Sequence, residues 1–182
     1  MKTLLTAMMT LSVITGFSQL NIQFPSLEGE SLTHEMINLP TDVSGKYTLV
    51  GLAFSKKSEK YLNSWFNPVY QQFIYKPETT SLFAGNFDVN VYFVPMFTGA
   101  KRPAYEKVME KVSETIDPKL QPYVLFYKGT LKEYKDVLDF EGKDLPYFYI
   151  LDPEGKIIYN TSGQYSDRKM QEITKKLEPA WN

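Results

Sequence analysis

The chain has 182 residues, 43% of them hydrophobic and 15% aromatic, enough apolar material for one sizeable core and too much for a disordered chain. The formal net charge is −1 and only Arg102 and Arg168 supply guanidinium, which argues against a phosphate-backbone footprint and so against nucleic acid as a partner. No cysteine is present, so dithiol exchange, peroxide reduction by a thiolate and disulfide stabilisation are all excluded.

Met1-Lys2 makes a short positive start, followed by the apolar stretch "LLTAMMTLSVITGF", which is too short to span a bilayer comfortably. Gly16 and Ser18 then place small residues at −3 and −1 of a cleavage point, so residues 1–18 read as a secretory signal and 19–182 as one mature domain. An uncleaved N-terminal anchor is the competing reading. The signal implies an exported chain, periplasmic or secreted, with no stable membrane span once it is removed. A lipoprotein is excluded because no cysteine follows the signal.

Pro25, Gly29, Pro40 and Gly45 punctuate the start of the mature chain and predict an N-terminal hairpin or edge strand. Thr48 to Phe54 is apolar without strict alternation, as expected of a central strand covered on both faces. The helix after it carries Tyr61, Leu62, Trp65, Phe66, Val69, Tyr70, Phe73 and Ile74 at three- and four-residue spacing, a stripe wide enough to lie on a sheet. Ser58 or Ser55 is its predicted N-cap, and Pro68 removes the bond to the Ser64 carbonyl, so a kink is expected there. Phe87 to Phe97 predicts a second central strand, Pro103 to Ile116 a helix, and Tyr123 to Tyr127 a third strand. A short helix over Leu131 to Leu138, a hairpin over 147–151 and 156–160 around "DPEG", and a closing helix from Asp167 to Leu177 complete the order. That order describes an α/β fold in which right-handed crossovers put helices on both faces of a central mixed sheet.

Leu145-Pro146 stands directly before the hairpin, and "LPYFYILDPEGKIIYNTSG" resembles the segment of thioredoxin-like, TlpA-type and peroxiredoxin-type proteins that begins at a cis-proline. "LPTDVSGKYTLVGLAF" is similar to the approach to their first central strand. Together with "SWFNPVYQQF", these stretches also look like the cysteine-poor thioredoxin-fold family of mitochondrial ATP synthase assembly factors, which act as chaperones. The resemblance implies a three-layer thioredoxin-like fold and a cis bond before Pro146.

In the redox members a cysteine pair sits at the start of the first helix. Here the resemblance maps that pair onto Ser55-x-x-Ser58 or onto Lys57-x-x-Lys60, and neither can form a disulfide. What remains is a groove. The resemblance implies that Leu145, before Pro146, offers its backbone to an extended peptide, with Ser55, Lys56, Lys57 and Ser58 as the other wall and Tyr147 or Trp65 nearby. Trp65 fits core packing better at its helical spacing. Lys56, Lys57 and Lys60 could hold an anion, but solvated surface lysines are the plainer account.

His34, the one histidine, reads as a loop residue, and Glu28 with Glu30 as solvated acids; neither suggests a catalytic dyad or a metal site. No cofactor is expected. The favoured function is a redox-inactive binding protein, chaperone or assembly factor of the cell envelope that takes a polypeptide client in the Pro146 groove. The alternatives are an enzyme with a Ser/Lys site at the helix start and a structural subunit whose groove its own chain fills.

Overall fold

The computed structural model describes residues 20–76, 86–140 and 142–180. The segment assigned to the signal, 1–18, lies outside them, as does Gln19. Seven strands form one mixed sheet: β1 (Leu27–Ser31), β2 (Met36–Leu39), β3 (Tyr47–Ala53), β4 (Val89–Thr98), β5 (Leu125–Gly129), β6 (Tyr147–Leu151) and β7 (Ile157–Ser162), in the order β2-β1-β5-β4-β3-β6-β7. The inner pairs β3/β4 and β4/β5 are parallel; β1/β2, β1/β5, β3/β6 and β6/β7 are antiparallel.

Four α-helices cover the sheet: α1 (Lys56–Val69), α2 (Tyr105–Thr115), α3 (Lys132–Leu138) and α4 (Asp167–Lys176). Their faces follow from connection handedness. The crossovers β3-α1-β4 and β4-α2-β5 step the same way across the sheet, so a right-handed path puts α1 and α2 on one face. The return from β5 to β6 steps back over β4 and β3, and α3 covers the other face. The core divides accordingly. Leu49, Phe93, Phe97, Phe148 and Ile150 pack under Leu62 and Trp65 of α1, Met109 of α2 and Ile173 of α4. Val50, Leu52, Val94, Met96, Tyr149 and Leu151 pack with Tyr134 and Leu138 of α3 and with Phe24, Leu27 and Leu39 from the N-terminal segment.

Gly51 sits in β3 on the α1 face. A Cβ there would come within 2.6 Å of the Phe148 ring and 3.0 Å of Leu62, so the absence of a side chain is what lets the helix lie close to the sheet.

Pro68 lies inside α1, one residue before its end. α1 ends at Val69 and the chain continues as a π-helical turn, Tyr70–Ile74, whose Tyr75 N–H reaches back to the Tyr70 carbonyl at 2.8 Å. The predicted helix from Pro103 divides into a 3-10 turn (Gly99–Ala104) and α2, and the third strand starts at Leu125 because Pro118–Tyr123 forms another 3-10 turn capped by Asp117. The N-terminal hairpin is β1/β2, with β2 at the sheet edge. The architecture is the mixed α/β arrangement of thioredoxin-like proteins.

Candidate functional site

α1 starts at the carboxyl end of β3, where strand chemistry gives way to a capped turn. Ser55 is the N-cap; its Oγ accepts from Ser58 N–H at 3.0 Å, while Ser58 Oγ accepts from the N–H of Ser55 at 2.8 Å and of Phe54 at 3.1 Å. Ser58 is fully buried and donates its own proton to the Ser55 carbonyl at 2.9 Å. With both acceptor positions of Ser58 Oγ taken by backbone N–H groups, the Ser55 proton is directed to Asp144 Oδ1, 3.2 Å away. No lysine Nζ bonds either hydroxyl among the described residues, so the Ser/Lys arrangement is not assembled. Lys56, Lys57 and Lys60 are exposed.

The segment ahead of β6 closes on this turn. Phe54 lies 4.8 Å from Phe140 and 6.2 Å, stacked, from Tyr147, and Phe140 is 4.8 Å from Tyr147. The Tyr147 hydroxyl accepts from Gly142 N–H at 2.6 Å and donates to the Gly142 carbonyl at 2.9 Å. Tyr147 and Pro146 are buried, and the Pro146 carbonyl accepts from Gly163 N–H at 2.9 Å. Leu145 is half-buried, and neither its N–H nor its carbonyl has a hydrogen-bond partner among the described residues.

Two features differ from expectation. The cis peptide bond among the described residues is Leu39–Pro40, and the bond before Pro146 is not cis. Ser58, Pro146 and Tyr147 are buried and the Ser55 hydroxyl is engaged by Ser58 and Asp144, so of the proposed groove Lys56 and Lys57 are exposed and the half-buried Leu145 keeps a main chain without a partner among the described residues. The internal use of these residues has a physical cause: Phe140 stacks on Phe54 and Tyr147, and Asp144 bonds Ser55 at the helix start, contacts for which sequence periodicity carries no signal.

Trp65 is core. It is fully buried, its ring is 4.2 Å from Phe148, and its Nε1–H donates to the Gly163 carbonyl at 3.0 Å. His34 occupies the β1/β2 turn at φ 63°, its side chain 79% exposed and 2.9 Å from the Glu30 carboxylate. The same Glu30 accepts from the Tyr105 hydroxyl at 3.1 Å, so it is engaged on two sides. Burial, then Glu30, pushes the Tyr105 phenol well above its ordinary range. Among the described residues no group of three or more His, Asp or Glu side chains is placed to hold a metal ion, and no helix is long and apolar enough to cross a membrane.

Sequence reasoning missed a second feature. α1 and α2 share one face without packing tightly on each other, and a cleft of about 530 Å³ runs between them. Its signal was in the sequence: Glu59, Asn63 and Asn67 recur at four-residue spacing beside the apolar stripe.

Solved structures show the fold. BsSco, a member of the Sco family of cytochrome c oxidase assembly proteins, is similar with a TM-score of 0.57 at 11% identity, over 88% of this chain and 94% of that one. A thiol:disulfide interchange protein of the DsbE type from Chlorobium tepidum gives a TM-score of 0.56 at 14% identity, over 87% and 97%. The exposed lipoprotein thioredoxin Etrx1 from Streptococcus pneumoniae gives 0.52 at 12% identity, over 84% and 100%. No curated protein matches the sequence. A family model, that of the ATP10 protein, matches residues 18–178. That family consists of ATP synthase assembly factors associated with the mitochondrial inner membrane, which overturns the export reading; neither a periplasmic nor a secreted location is retained. With nearly the whole sequence inside the match, the chain belongs to the ATP10 protein family.

Proposed function

We propose that this protein is a redox-inactive assembly factor that binds a polypeptide during construction of the ATP synthase, meeting it over the start of α1. The observation that carries this reading is the capped turn at Ser55 and Ser58. The position where thioredoxin-like enzymes hold a reactive sulfur is occupied here by hydroxyls that satisfy the backbone, so the fold retains a surface without the electron chemistry. Family membership supports a protein partner. Lys56 and Lys57 are exposed, and the Leu145 backbone is available to an incoming strand, which supports this face as the contact.

The test is genetic and biochemical. Removing the gene from its host should lower the amount of assembled ATP synthase on native gels relative to free subunits, and the wild-type chain should restore it. Lys56→Glu/Lys57→Glu should restore it poorly, because reversed charge opposes the same client. Unchanged assembly in the deletion strain would end the assembly role; full rescue by the double variant would move the contact away from the helix start.

A further inference from the structure

We infer that the cleft between α1 and α2 is a main-chain clamp for an uncharged, extended polypeptide segment, with Asn63 and Asn67 as its two rungs. This deepens the client-binding role proposed above and rests on it.

The floor of the cleft is sheet: Pro95 and Phe97 of β4 and Phe126 of β5. Val108 and Val112 of α2 form one wall and Phe66 of α1 contributes to the other. An apolar floor alone says nothing about its occupant. The discriminating feature is the polar edge on α1, where Asn63 and Asn67 line the cleft, are exposed, and have side-chain carboxamides that bond no other described residue. Each carboxamide carries one acceptor oxygen and a two-proton donor, the complement of a peptide unit's N–H and C=O.

Spacing selects the conformation of the ligand. Four residues of α-helix rise about 6 Å, and two residues of extended chain advance about 6.6 Å, so the two carboxamides fall in step with alternate peptide units of a strand. A helical ligand satisfies its own backbone and leaves both rungs unpaired. From Glu59 to Asn67 is roughly 12 Å of helix, room for about four residues of extended chain.

Charge selects its composition. The charged groups lining the cleft are Glu59 and Asp117, and each already has a cation: Lys101 lies 2.6 Å from Glu59 and Lys119 lies 3.1 Å from Asp117. Between those pairs the lining offers neutral hydrogen-bonding groups and apolar surface. A charged side chain seated there would lose water and gain no partner. The matching occupant is therefore neutral, apolar at alternate positions, and free of proline at the clamped nitrogens.

The test pans a library of short random peptides against the full chain, then titrates a capped, fluorescent copy of the best binder by anisotropy. Selected peptides should be uncharged, alternately apolar and without proline at the core of the motif. Asn63→Leu/Asn67→Leu, near-isosteric and at exposed positions, should weaken binding at least about tenfold. Lys132→Glu/Lys135→Glu, an equal charge reversal at exposed positions of α3 on the opposite face of the sheet, should leave binding unchanged. N-methylation of alternate peptide nitrogens should weaken binding to the wild-type protein by a similar factor, and methylation of the intervening ones should not; this arm needs no protein variant. The clamp is overturned if panning yields no binder, if the double asparagine variant binds as tightly as wild type, if N-methylation has no alternating effect, or if the free protein sediments as a dimer that the double variant dissociates. If the asparagine variant rescues ATP synthase assembly fully and peptides ignore the cleft, the clamp fails while the assembly role stands. If peptides bind as described and deletion leaves assembly intact, the role fails and the clamp stands.

Discussion

Ser55 and Asp144, 89 positions apart in the chain, are joined by a hydrogen bond of 3.2 Å between the Ser55 hydroxyl and the Asp144 carboxylate. One residue caps α1 and the other belongs to the segment that leads into β6. Their contact fastens that segment over the helix start, the place where a redox relative would expose a thiol.

The buried half of the cap is expected to matter most for stability. Ser58→Ala removes the acceptor of two backbone N–H groups, those of Phe54 and Ser55, inside a fully buried site. The expected loss is about 2 kcal/mol, combining a lost cap with stranded donors. It is read as a lower urea midpoint at unchanged m-value. A midpoint equal to that of wild type would show that water reaches the turn and replaces the hydroxyl.

The same geometry says where sulfur would work. The Ser55 and Ser58 oxygens are 3.2 Å apart, so Ser55→Cys/Ser58→Cys should close an intramolecular disulfide under mild oxidation, seen as loss of thiol labelling that a reductant restores. The thiol at position 55 would sit at the N-cap, where the helix dipole lowers its pKa. Persistent labelling of both thiols after oxidation would favour Lys57-x-x-Lys60 as the register that matches the cysteine pair of redox thioredoxin-like proteins.

Trp65→Phe keeps a ring against Phe148 but removes the Nε1–H bond to the Gly163 carbonyl. A buried carbonyl without its donor is expected to cost about 1–3 kcal/mol. The calorimetric midpoint should fall accordingly while the far-ultraviolet circular dichroism stays the same. An unchanged midpoint would mean that packing alone holds the residue.

Alkaline stability follows from the tyrosines. Burial, and then neighbouring Tyr127 and Tyr147 respectively, hold the phenols of Tyr134 and Tyr149 far above their ordinary range, with their hydroxyls donating to the carbonyls of Ser26 and Leu138. Burial first, and then the bond to Glu172, pushes Tyr159 up to about 12. A folded-state pKa above the unfolded one stabilises the protein fully below about pH 10 and progressively less above it, because the unfolded chain then releases protons that the folded chain retains. Phenolate absorbance from these residues should therefore appear together with the loss of tertiary structure. Phenolate forming in a still-folded protein would contradict the buried hydroxyl contacts.

The strands and helices could be read in advance because each announces itself locally. The stripe from Tyr61 to Ile74 repeats at helical spacing, and Asp152 and Gly155 mark the β6/β7 turn. Ser55 and Ser58 were legible as candidate caps for the same reason: a cap bonds residues three apart. The occlusion of Pro146 and Tyr147 was not legible, since it depends on Phe54, Phe140 and Asp144 meeting across the fold. The α1/α2 cleft was half-legible. The asparagine spacing is a property of one helix, and the gap beside it is a property of two.

By itself the sequence determined the order of elements, the two-faced core and the loss of thiol chemistry, because periodicity and composition are local quantities that survive any docking. Only the tertiary structure decided which bond is cis, which candidate groove residues are spent internally, and where open surface is left. Those outcomes come from contacts between segments tens of residues apart, and their energies are settled only when the layers pack.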